Sequence, residues 1–168
     1  LPKNVAFEKW AVIACDQFTS QPEYWQRVRA YVGDEVSTIH MIFPEAELET
    51  EGRDMIERIN DTMRAYVAEG LFDEYKDSYV YVERTLQNGS IRKGVVGSID
   101  LENYDFGEDS VSSIRATEKT VVERIPPRME IRRDAVLEMP HVLLFCNDEN
   151  KMLIESLEMR KDHLPKLY

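Results

Sequence analysis

The chain is poor in the residues that most often announce a chemistry. Its 168 residues include only two cysteines and three histidines. No CxxC pair and no histidine cluster occurs, so a structural zinc site is not expected. Cys15 and Cys146 each end an apolar run and read as reduced, buried thiols; a disulfide stays open only if those runs are neighbours. His40, His141 and His163 are far apart, and the first two sit in apolar runs as core residues. There is no GxxxxGK[ST] loop, no GxGxxG after a strand and no GxSxG turn, which removes the P-loop, the dinucleotide fold and the nucleophile elbow. Apolar runs such as Trp10 to Cys15 are far too short to cross a bilayer, so no membrane partner is expected. No basic-then-apolar leader is seen, and the expected location is the cytoplasm. The first residue is Leu1 rather than Met, which reads as a processed or excised segment.

What is present is acidity with one local reversal. Acidic side chains number 32 against 21 basic ones, a net charge of −11. Hydrophobic residues make up 43% and charged residues 32%, ordinary for a folded globular chain. Residues 115 to 133 break the trend with six cations (Arg115, Lys119, Arg124, Arg128, Arg132, Arg133) and three acids (Glu118, Glu123, Glu130). Arginine grips planar oxyanions through paired hydrogen bonds. An arginine-rich island in an acidic protein suits a small anion, because the surrounding charge repels a long polyanion. Direct nucleic-acid binding is therefore not expected.

The periodicity predicts a mixed α+β fold on one domain over residues 1–168, with a mixed sheet, a β-hairpin and flanking helices. Trp10 to Cys15 reads as a buried strand, followed by a polar loop and a helix from Pro22 to Gly33. Val36 to Phe43 reads as a strand closed by Pro44. Residues 51 to 69 carry the clearest helical stripe, with Met55, Ile56, Ile59, Met63, Tyr66 and Val67 on one face and Gly70 as the stop. A hairpin is expected from Tyr79 to Leu101, turning at Asn88-Gly89, where both residues tolerate positive φ. Gly94 and Gly97 suggest a bulge or a close backbone approach. A helix is expected from about Arg128 to Met139, after the break at Pro126-Pro127. His141 to Cys146 reads as a buried strand. Asn147 or Asp148 then caps a last helix with Met152, Leu153, Leu157 and Met159.

The island supplies the candidate chemistry. Glu118, among Arg115, Lys119 and Thr120, stays ionised and can serve as a base or a metal ligand. Arg115, Lys119, Arg124 and Arg128 are candidate phosphate ligands, and Thr120 can donate a hydrogen bond to a phosphate oxygen. Asp16, at the end of the first predicted strand, either faces a ligand or caps the next turn. The competing reading of the island is a solvated face whose charges pair with one another. Glu123 and Glu130 are read as partners of the arginines.

Several short motifs in order resemble a mostly prokaryotic family catalogued as domain of unknown function 1015. They are Asp16 after the first apolar run, Arg92-Lys93-Gly94-Val95-Val96-Gly97-Ser98-Ile99, Tyr104-Asp105-Phe106-Gly107, and Thr117-Glu118-Lys119-Thr120. Thr117 and Lys119 replace the family's signature histidine and arginine, and Pro127 stands at its aspartate. Members of that family are longer, which implies that this chain is an N-terminal segment. The family's Glu-Arg signature, which falls at Glu118-Lys119 here, also resembles the phosphate-binding Gly-Glu-Arg-Arg segment of the ParB/sulfiredoxin group. That second resemblance implies a phosphotransferase acting on a small metabolite such as serine or phosphoserine, using ATP or ADP with Mg2+. The alternatives are a non-catalytic, nucleotide-responsive regulatory module and a structural half of a larger enzyme.

Overall fold

The computed structural model describes residues 2–48, 52–105, 107, 109–116 and 121–167, except for the side chain of Arg124. The fold is α+β, as expected. Among the described residues it has five helices and two small sheets. The helices are α1 (Phe7–Trp10), α2 (Pro22–Val32), α3 (Arg53–Ala68), α4 (Ile125–Arg132) and α5 (Ile154–Glu158). The strands are β1 (Val80–Thr85), β2 (Ile91–Val96), β3 (Tyr104–Asp105) and β4 (Ile114–Arg115). The chain divides into two compact units. The first joins Leu1–Glu74 to Val121–Val142, and the second joins Tyr75–Thr120 to Leu143–Tyr168.

The first unit contains the core. Pro22 opens α2, where a missing amide costs nothing. Gly33 closes it at φ 61°, and its amide donates to the Arg29 carbonyl. α3 buries Met55, Ile59, Asn60 and Met63 on one face, while Val67 of the predicted stripe faces solvent. Its end is a Schellman motif: the Gly70 amide donates to the Val67 carbonyl and the Leu71 amide to the Tyr66 carbonyl. Two clusters result. Trp10, Met41, Phe43, Met55, Ile59 and Met63 form one; Trp25, Val32 and Ile39 form the other.

Neither predicted strand of this unit forms. Trp10 instead ends α1, and residues 11–14 run on without a ladder. Val36 to Phe43 does reach the core, through Ile39, Met41 and Phe43, but folds around a 3-10 turn at Thr38–His40. Ser37 is the reason: its hydroxyl oxygen accepts from the Ile39 amide at 3.3 Å, a local bond that competes with a sheet ladder. Thr38 Oγ1 then donates to the Trp10 carbonyl at 2.8 Å, tying the two segments by side chain. The fourth helix also differs from expectation. Pro126 and Pro127 lie inside the first turn of α4 rather than before it, and the helix ends at Arg132.

In the second unit, β1 and β2 pair antiparallel from Val80↔Val96 to Thr85↔Ile91. The hairpin is where the sequence puts it, but shorter. Its turn uses one left-handed residue, Gly89 at φ 81°, while Asn88 stays at negative φ and its Oδ1 accepts from the Ser90 amide. The register contains no bulge. Gly97 marks the close approach, since a Cβ there would run into the Tyr79 ring. β3 and β4 pair in parallel, so the strands form two separate two-stranded sheets rather than one mixed sheet. His141 to Cys146 forms no strand, and its side chains are exposed, Phe145 by 82%. The core roles expected of His141 and Cys146 therefore fail. His40 is half-buried and its Nε2 meets the Glu35 carbonyl at 3.1 Å. Before α5, Asp148 accepts from the Met152 and Leu153 amides, both at 2.8 Å; these bonds hold its carboxyl below the usual range. No helix among the described residues is long and apolar enough to cross a membrane.

Candidate functional site

Two of the predicted site residues, Asp16 and Arg128, share one neighbourhood in the first unit. The anchor is backbone: the Glu45 amide donates to the Cys15 carbonyl at 2.9 Å. That bond seats the short 3-10 turn Glu45–Glu47, which follows Pro44, against the turn that carries Cys15 and Asp16. Arg128, in the first turns of α4, donates from Nη2 to Glu45 Oε1 at 2.6 Å. Asp16 is exposed, and the Gln17 amide side chain donates to its Oδ1. It does not end a strand; it lies in a turn.

The electrostatics tie the four residues together. Burial, then the charges of Asp16 and Glu45, push the Cys15 thiol up, while Arg128 pulls the other way. A thiol so placed stays protonated and is a poor nucleophile. The hydrogen bond to Glu45 raises Arg128 further, helped by the charges of Glu45 and Asp16. Arg128 is therefore a permanent cation held against one carboxylate.

α4 presents more than that one guanidinium. Ile125, Arg128, Met129, Arg132 and Arg133 line a surface depression of about 390 Å³. Arg128 and Arg132 are four residues apart and share a helix face. Arg132 Nε lies 3.5 Å from Glu138 Oε1. Among the described residues, the carboxylates that meet Arg128 and Arg132 are Glu45 and Glu138. Arg133, which the sequence marks only as one of the island's cations, lines the same depression.

The other predicted ligands are placed elsewhere or not described. Arg115 is exposed at the end of β4 in the second unit, opposite Asp105 in the parallel register. Glu118, Lys119 and Thr120 lie outside the described residues, and so does the side chain of Arg124. Among the described residues, no three His, Cys, Asp or Glu side chains gather as a metal site. Glu45 and Cys15 were not legible as site residues. Glu45 sits 83 positions from Arg128, and nothing in its acidic surroundings sets it apart.

Residues 2–168 match the family described as Protein of unknown function (DUF1015). The chain belongs to that family. Nearly the whole chain is covered, so both units are family structure and neither is an appendage. No curated protein and no solved structure matches the chain. The match gives no support to the ParB/sulfiredoxin likeness.

Proposed function

We propose that this DUF1015 segment is the phosphate-binding part of a phosphotransferase that acts on a small hydroxylated metabolite, serine or phosphoserine being the first to test. The observation that carries the reading is the arginine face of α4, where Arg128, Arg132 and Arg133 border one depression on a strongly acidic chain. A guanidinium that cannot lose its proton offers several N–H donors in a rigid fork, which suits a phosphoryl group. Asp16 stands beside it as a carboxylate able to take a proton or a nucleotide-borne divalent ion. Catalysis of this type is mainly positioning and charge stabilisation, so few residues need to react. The roles of Glu118 as base and of Arg115, Lys119, Thr120 and Arg124 as phosphate ligands rest on the sequence alone.

A second reading, a structural part of a larger enzyme, is favoured by one observation: the second unit encloses no described side chain. Turnover decides between them. The full-length protein is incubated with phosphoserine plus ADP, and with serine plus ATP, each with Mg2+. The first reading expects phosphoryl transfer that drops by about a hundredfold or more in Glu118→Gln with folding intact. Transfer absent under both conditions removes the phosphotransferase reading.

A further inference from the structure

One arginine that lines the α4 depression, Arg128, is already paired with an anion of the protein's own. Glu45 reaches Arg128 at 2.6 Å with its carboxylate, the charge type and geometry that a bound oxyanion would present. Its backbone and side chain do different jobs. The amide is fixed to the Cys15 carbonyl, whereas the side chain has rotatable bonds and ends at a guanidinium that is about half exposed. A carboxylate on such a contact can swing away without unseating the turn. The Arg128 side chain is 49% exposed and that of Glu45 22%, so water partly screens the pair, and a ligand with more charge than a carboxylate can displace Glu45. Arg132 meets Glu138 only at 3.5 Å, and Arg133 lines the depression with no carboxylate against it among the described ion pairs. The two are placed to hold an incoming anion while Glu45 leaves.

We infer that Glu45 is an internal competitor for the oxyanion site, occupying Arg128 until a phosphoryl group displaces it. This rests on the proposed phosphate-binding role of α4, and it adds the regulation of that site. Removing the charge of Glu45 should strengthen phosphate binding, whereas a purely structural ion pair would weaken or spare it.

The test is a calorimetric titration of the full chain with inorganic phosphate at constant ionic strength. Wild type, Glu45→Gln, Glu45→Asp and Arg128→Gln are compared. Glu45→Gln should bind about two- to five-fold more tightly than wild type. Glu45→Asp, one methylene shorter, should move the same way and covers the case in which the first variant fails to fold. Arg128→Gln should lose binding. If phosphate binds wild type and is lost in Arg128→Gln, yet neither Glu45 variant tightens, the competitor role is wrong and the phosphate site stands. If no variant binds phosphate, both the competitor and the proposed site fall.

Discussion

The two units stay ordered by different means. In the first, Trp25, Val32, Ile39, Met41 and Ile59 are all at most 2% exposed, and all buried residues of the described chain lie between Trp10 and Met63. In the second, none of the described residues is buried, and Leu143, Phe145 and Val111 stand open to solvent. Its order comes from polar contacts instead. Lys161 bridges to Glu83, Lys93 binds Glu158, Tyr81 donates to Glu83, and Asn88 and Asp148 satisfy local amides. The contrast follows from geometry. A helix can enclose one stripe against a neighbouring turn, whereas a two-stranded hairpin has too few lateral neighbours to enclose either face and is marginal alone in water. The first unit should therefore answer to changes of volume, and the second to changes of charge.

The sharpest way to break this contrast is a matched pair of truncations. Trp25→Ala removes a fully enclosed ring and should cost about 3–5 kcal/mol in denaturant unfolding. Val95→Ala removes a half-buried side chain opposite Tyr81 on the hairpin and should cost less than about 1 kcal/mol. Native-state hydrogen exchange gives the same comparison without mutation. Amides of α3 should be the slowest, and those of β1 and β2 markedly faster. Equal protection in the two units would show that the hairpin has a core of its own.

A smaller effect tests whether charge matters inside the first unit as well. Arg29 donates to Glu47 twice, at 3.3 Å from Nε and 2.6 Å from Nη2, and the Glu47 side chain is only 12% exposed. Arg29→Met leaves a mostly buried carboxylate without its arginine. It should destabilise by about 1–3 kcal/mol in the same unfolding assay. A negligible loss would mean that water reaches Glu47 freely and that the unit is less closed than its packing implies.

The contrast also accounts for what was legible in the sequence. The helices α2 and α3 were read almost to the residue, because Pro22, Gly33 and Gly70 act locally and the stripe of Met55, Ile59 and Met63 is a local period. The hairpin was read for a similar reason, since Asn88-Gly89 fixes its own turn. Apolar runs without a period were misread. Trp10 and Val12 of the first run, and Ile39, Met41 and Phe43 of the second, reach the core, yet the Ser37 cap and the Thr38 bond to Trp10 decide the backbone there. The site divides along the same line. Arg128 and Asp16 could be named from residue type and neighbours. Glu45 could not, because its meaning comes from a single contact with a residue 83 positions away.

The smallest effect belongs to the second unit and is read by titration. Partial burial, then the hydrogen bond to Glu83 and the charges of Glu83, Glu158 and Glu155, push the Tyr81 phenol up to about 12. A raised phenol favours the folded state while it is protonated. Its contribution is complete below its ordinary value of 10.0 and is lost as pH rises toward about 12. Glu83 has the opposite sign. The Lys161 hydrogen bond, then that of Tyr81, lowers its carboxyl, so its contribution is present above 4.5 and fades as pH falls through the lowered value. Ultraviolet titration of tyrosinate, assigned with Tyr81→Phe, should show one late-ionising phenol in the wild type. Glu83→Gln should bring it only part of the way back to 10.0, because burial remains as the largest cause. A phenol that ionises at its ordinary value in the wild type would mean that the Tyr81–Glu83–Lys161 chain does not persist in solution, and the second unit would then lack the polar clasp that takes the place of a core.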